Sequence, residues 1–195
     1  MNRLALAVVG ICLVFPGSAG AAVINFDDLS TGTLGTPITG GYAGLNWQNF
    51  YYADAEVATS LTGWPGYENG LVSPGNIAFN GFGDPAEVSG SVFTLDSGYF
   101  TSAYSEPNLL LVEGFRLGSL LYTREVDLVV EEPIFVTFGW SGIDRVRFTT
   151  HGVAGSSHVV IDDLSITGTV PDGGLTVILL GIALGGLGWF RRRLG

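Results

Sequence analysis

The chain of 195 residues carries a formal net charge of −10, and all eight of its basic residues are arginines. Four of these, Arg3, Arg191, Arg192 and Arg193, lie at the two ends, so the middle is more acidic still; that excludes nucleic acid as a partner, since phosphate binding needs clustered positive charge. A divalent cation is the more natural companion, and the roughly 150 residues between the ends suffice for one core without disulfide staples.

At the N-terminus Arg3 precedes an apolar run, Leu4–Phe15, then the breaker Pro16-Gly17 and the small residues Ser18–Ala22. That order is the one found in secretory signal peptides, with residues 1–21 removed by a cut before Ala22. An internal hydrophobic helix is the competing reading. The only cysteine, Cys12, falls inside this segment, so the exported part has no thiol, and Ile11 stands where a lipoprotein signal needs a small residue.

From Val23 the pattern changes to short runs of alternating polarity separated by turn residues. Val23–Phe26, Leu45–Phe50, Ser91–Leu95, Ile134–Phe138 and Arg145–Thr149 read as half-buried strands. Leu109–Val130 is rich enough in Leu and Val to have a helical alternative. Its Glu113–Ser119 centre, EGFRLGS, instead predicts a hairpin, with Leu120–Val130 as the returning strand. The fold expected for residues 22–168 is all-β, an antiparallel β-sandwich of jelly-roll type, flanked by a signal-peptide helix and a C-terminal transmembrane helix.

Residues 169–195 form a third unit. Val170, Pro171, Asp172, Gly173 and Gly174 precede an unbroken apolar run, Leu175–Phe190, which Arg191, Arg192 and Arg193 follow at once. As a helix the sixteen-residue run rises only about 24 Å, short of the usual ~20-residue span, although the glycine pair can lengthen it. The arginines mark the cytoplasmic side and place the domain outside. Pro171 blocks helix continuation and the glycines leave bare backbone, so an extended segment suited to a protease cleft sits at the membrane face. The tail is thus either a lasting anchor or an address that processing removes.

The order of VPDGG, apolar helix and terminal arginines resembles the PEP-CTERM sorting signal in a VPDGG variant, with Asp172 in place of the more common Glu. The resemblance implies processing near the motif by an exosortase, an integral-membrane cysteine protease-transpeptidase. It also implies a Gram-negative bacterium, exopolysaccharide export and biofilm. Residues Phe93–Thr167 are in turn similar to the ectodomain common among PEP-CTERM surface proteins, which look like carbohydrate-binding β-sandwiches. That second resemblance speaks for fold and brings no agreed activity.

Three groups of residues are candidates for function. NFDDLS near the start echoes IDDLS near the end, and in jelly-roll modules the first and last strands approach each other. Asp27, Asp28, Asp162 and Asp163 are therefore candidate ligands for a structural Ca²⁺, with solvated strand-edge carboxylates as the alternative. Trp64 and Tyr67, in the turn-rich TGWPGYENG, are candidates for stacking on the flat face of a polysaccharide, whereas Trp47 and Phe50 read as core and Trp140 as packing at a sheet edge. His151 and His158 flank GVAGSS and read as a surface loop, since sequence adjacency alone builds no nucleophile and base. The expected function is that of an exported, non-catalytic surface or matrix protein, held at the inner membrane until its tail is processed. A carbohydrate-binding module with structural calcium is the alternative, and a paired-carboxylate glycosidase a further one.

Overall fold

The structure, a computed structural model, describes residues 20–30, 35–104, 108–152 and 157–168. Nearly all of the expected signal peptide, and the whole of the sorting motif, apolar run and arginine cluster, lie outside these residues. In chain order the strands are β1 (Ala21–Ile24), β2 (Thr36–Pro37), β3 (Asn46–Gln48), β4 (Phe50–Asp54), β5 (Asn76–Asn80), β6 (Ala86–Ser102), β7 (Asn108–Arg116), β8 (Ser119–Leu128), β9 (Ile134–His151) and β10 (Val159–Gly168). Two short helices, α1 (Ala55–Thr62) and α2 (Gly66–Asn69), interrupt them between β4 and β5.

Every pairing is antiparallel, and one continuous ladder runs β2-β4-β5-β10-β6-β9-β7-β8, with β1 added to β10 and β3 to β6. The all-β antiparallel expectation holds. A jelly roll implies two hydrogen-bonded sheets, and here the packing is sandwich-like for a different reason: the two longest strands fold over. β6, of 17 residues, and β9, of 18, pair from Ala86–Phe148 to Phe100–Ile134, but their register shifts at Ser89/Phe93, Phe93/Leu95 and Leu95/Ser97. Such bulges add twist and let a strand bend. One half of each strand then belongs to a layer with β7, β8 and β3, and the other half to a layer with β10, β5, β4 and β1.

Ring contacts verify the closure. Phe50 on β4 lies four ladder steps from Phe148 on β9, which would be about 19 Å in a flat sheet. Their centroids are 5.6 Å apart, edge to face, so the layers meet through them. Trp47, Phe26 and Phe100 extend this aromatic spine, and Leu95, Leu110, Val112, Ile143, Ile161 and Leu164 fill the core around it.

Sequence and structure differ in instructive places. Leu45–Phe50 is not one strand: Asn49 has φ 56°, and its side-chain amide donates to the Gly81, Asp84 and Pro85 carbonyls, so the chain turns there from one layer to the other. Ile134–Phe138 and Arg145–Thr149 are two ends of one strand, β9. Trp140 sits on this interior strand rather than at an edge, because Tyr122 stacks on its ring at 5.3 Å. The Leu109–Val130 hairpin is found as expected, as β7 and β8 joined at Leu117-Gly118.

Phe148→Ala should cost about 3–5 kcal/mol of unfolding free energy, as deletion of a buried ring at the layer contact does. Leu61→Ala, on the exposed face of α1, should stay within about 0.5 kcal/mol. Urea denaturation of the two variants measures both.

Candidate functional site

The chain after β4 builds a second, smaller core on the outer face of its layer. Asp54 caps α1, its carboxylate accepting from the Val57 N–H at 3.0 Å, and Gly63 ends the helix at φ 72°. Thr62 Oγ1 accepts from the Trp64 N–H at 3.1 Å, and Thr59 Oγ1 donates to the Trp64 carbonyl at 3.2 Å, which fixes the indole just past the helix. Gly66 then docks α2 on the end of β6: its N–H donates to the Ala103 carbonyl at 2.9 Å, and a Cβ there would fall on the Ser102 carbonyl oxygen. This close approach drives Tyr67 inward, where it is only 1% exposed.

Beside these helices lies a cleft of about 480 Å³, lined by Gly35, Tyr51, Thr62, Trp64, Tyr67, Phe79, Gly81, Phe82 and His158. Its walls are continuous ring stacks. Trp64 lies nearly parallel to Tyr67 at 6.1 Å and 6°, and against Tyr104 at 5.2 Å. Phe79 stacks on His158 at 5.4 Å and on Tyr51 at 6.0 Å. Two of the rings offer open faces: Tyr104 is 52% exposed and Phe82 is 75% exposed. Such an arrangement grips flat apolar ligand surfaces, with few polar groups to orient them.

The polar element is a single pair, Tyr67 Oη and His158 Nδ1, 2.7 Å apart. Burial lowers the His158 pKa to about 4, and burial also raises that of Tyr67, so at neutral pH both are uncharged. A neutral imidazole carries one proton: with it on Nε2 the tyrosine hydroxyl donates to Nδ1, and with it on Nδ1 the ring donates to Tyr67 Oη. Asn80 and Ala103 hold this stretch of chain in place: Asn80 Oδ1 accepts from the Val159 N–H at 2.7 Å, and the His158 carbonyl accepts from the Ala103 N–H at 3.1 Å.

The residues singled out from sequence fare unequally. Trp64 lines the cleft, half-buried. Tyr67 lines it as well but is not the exposed platform expected, because α2 folds it onto the core. His158 is not in a free surface loop; its ring is sandwiched among aromatic groups far away in sequence, whereas His151 is exposed. Tyr104, Phe82 and Tyr51 were missed, and only Phe82, between two glycines, bore a local sign of exposure.

The acidic pairs lie on or beside neighbouring strands. β1 does pair with β10, from Ala21–Thr167 to Ile24–Leu164, as the echo of NFDDLS and IDDLS suggested. Yet among the described residues no three of His, Cys, Asp and Glu gather as a metal would need. Asp162 is fully buried, and its oxygens accept from the Val72, Ser73 and Asp163 N–H groups at 2.7, 2.9 and 2.8 Å and from Ser73 Oγ. Asp27 accepts from the Asn76 N–H at 3.0 Å, and Asp28 from the Tyr42 hydroxyl at 2.7 Å. Asp163, at φ 47°, sits in the β10 bulge. Asp162 and Asp27 thus hold the two ends of one connection, Val72 to Asn76, that leads from α2 into β5. Burial raises the Asp162 pKa to about 6 against the pull of its three N–H donors.

The two buried groups give opposite pH dependences. His158 takes up a proton more readily when unfolded, so its contribution is whole above pH about 6.5 and is lost as pH falls toward 4. Asp162 is protonated more readily when folded, so it adds stability as pH falls from about 6 toward the ordinary carboxylate value. His158→Gln should therefore flatten the loss of unfolding free energy between pH about 6.5 and 4 relative to the parent chain. Urea titrations across that window check the sign.

Comparisons with known proteins bear separately on the tail and on the rest of the chain. Residues 169–194 match the family described as the VPDSG-CTERM motif, so the chain ends in a C-terminal sorting motif, as in proteins exported to the surface. No curated protein matches the chain. Among solved structures it is similar to TmCBM61 in complex with beta-1,4-galactotriose, at 12% identity and a TM-score of 0.40, over 66% of this chain and 90% of that one. It is also similar to the K2 cleaved adhesin domain of Lys-gingipain, at 9% identity and a TM-score of 0.46, over 76% and 100%.

Proposed function

We propose that this is an exported, non-catalytic surface or matrix protein whose cleft binds a neutral stretch of polysaccharide. The observation that carries the reading is the aromatic cleft: Trp64 stacked on Tyr67 and on Tyr104, with Phe82 exposed on the lining and one uncharged imidazole against the indole. Sugar rings present flat C–H faces to aromatic rings and hydroxyl groups to a neutral donor or acceptor. None of the residues lining the cleft is a carboxylate, which favours binding over paired-carboxylate hydrolysis.

The sorting motif supplies the second part. An exosortase-type membrane protease reads Val170–Gly174, the apolar run holds the chain in the inner membrane of a Gram-negative cell until then, and the domain passes to the envelope or an exopolysaccharide-rich biofilm matrix. The VPDGG order of this chain belongs with that class of signal. Structural calcium is not part of the proposal, since three of the four carboxylates expected to hold it, Asp27, Asp28 and Asp162, accept from backbone or hydroxyl donors.

Two measurements test the reading. On arrays of neutral oligosaccharides the exported protein should bind, and Trp64→Ala or Tyr104→Ala should each weaken the best interaction at least about tenfold, or 1.4 kcal/mol. Retained binding in both variants would remove the cleft from consideration. Intact-mass analysis of the native protein from surface fractions should show an end near Pro171 and no Arg191–Arg193. A full-length chain confined to the inner membrane would make the tail an anchor.

A further inference from the structure

One end of the sandwich gathers features that the cleft does not explain. Gly168, the last residue of β10, lies opposite Phe93 on β6, and Phe93 lies opposite Ile143 on β9, where both long strands cross between layers. The β7–β8 turn reaches the same row: the Leu117 N–H donates to Asp144 Oδ2 at 2.9 Å. Leu117 and Gly118 have φ 48° and 82°. A two-residue turn of this kind prefers Asn, Asp or Gly at its first position, because a larger side chain crowds the backbone in the left-handed region. Here the position holds a leucine, and it is 84% exposed. Leu120 and Leu121, just behind it on β8, and Val92, on the crossing of β6, are exposed as well. Backbone strain and exposed apolar surface at one residue point to a contact made outside the domain.

Where the chain leaves the domain identifies that contact. Six residues, Thr169–Gly174, separate Gly168 from the apolar run Leu175–Phe190. Fully extended, they reach about 20 Å, so a bilayer holding the run lies within that distance of the row that contains Leu117. Charge agrees with a lipid surface. In a chain of net charge −10, three of the four arginines among the described residues, Arg116, Arg145 and Arg147, stand behind the turn, with ion pairs to Asp144 and Glu87 and with Arg145 and Arg147 over the Phe115 ring. The cleft lies near the other end of β10, about 30 Å along the strand.

We propose that the β7–β8 tip, led by Leu117, dips into the interfacial layer of a phospholipid bilayer while the C-terminal segment is attached. The domain then stands upright with its cleft facing away from the membrane, open to ligand before the tail is processed. Shallow insertion of a few leucines beside cationic side chains is how interfacial elements gain membrane affinity. The proposal does not depend on what the cleft binds.

The test uses the full chain with Cys12→Ser, reconstituted in vesicles of phosphatidylethanolamine and phosphatidylglycerol that include nitroxide-bearing lipid. A fluorophore is placed at Leu117→Cys, Val92→Cys or Tyr104→Cys in turn. Quenching should be several-fold stronger at positions 117 and 92 than at 104. Adding Leu117→Asn to the Val92-labelled chain should leave the urea midpoint equal or higher, since Asn suits the turn, and should reduce quenching at least about twofold. Equal quenching at 117 and 104, or unchanged quenching at 92 in the Leu117→Asn chain, would overturn the proposal.

Discussion

The structure depends on two long strands bending over themselves. If β6 and β9 ran straight, the ladder would be a flat sheet with an apolar face too wide to cover. The register shifts between Ser89 and Ser97 let each strand serve both layers, and Phe50 meets Phe148 as a result. Other changes of layer need their own backbone devices. Asn49 accepts a left-handed conformation between β3 and β4 and ties three carbonyls with its amide, so one residue both turns the chain and closes that end of the sandwich.

The same bend separates the two ends functionally. β10 pairs with β6 through most of its length and carries different chemistry at each end: His158, just before its start, in the aromatic cleft, and Gly168 leading into the sorting motif. The cleft and the start of the tail thus lie at opposite ends of one strand. The acidic echo at Asp27 and Asp162 serves this geometry. By fixing Val72, Ser73 and Asn76, the two carboxylates set where α2 enters β5, and hence where Tyr67 and Trp64 lie against His158.

Much of the fold was legible because its signals are local. Alternation marked the strands, and the Glu113–Ser119 centre marked the β7–β8 turn. The approach of β1 to β10 could be guessed from matching segments. What escaped reading depends on distance in the chain. Nothing near Arg145 announces that it continues the strand begun at Ile134, because a bent strand has an interrupted alternation. Tyr67 looked exposed among turn residues, and only the close approach of Gly66 to Ser102 shows why it is buried. His158 acquires its lowered pKa from Phe79, Trp64 and Tyr67, each at least 79 residues away. Nor does a cluster of Asp in the sequence tell backbone N–H partners from a cation, since a carboxylate satisfies either.

The central claim is that the aromatic cleft is a glycan site, and the indole N–H resonances test it most directly. Trp47 is an internal reference, buried with its Nε1 donating to the Tyr42 carbonyl at 3.0 Å, and Trp140 is buried under Tyr122. On titration with a neutral oligosaccharide the Trp64 resonance should move progressively while those of Trp47 and Trp140 stay in place. Movement of the other two with Trp64 unchanged, or no movement of any across neutral oligosaccharides, would contradict the account.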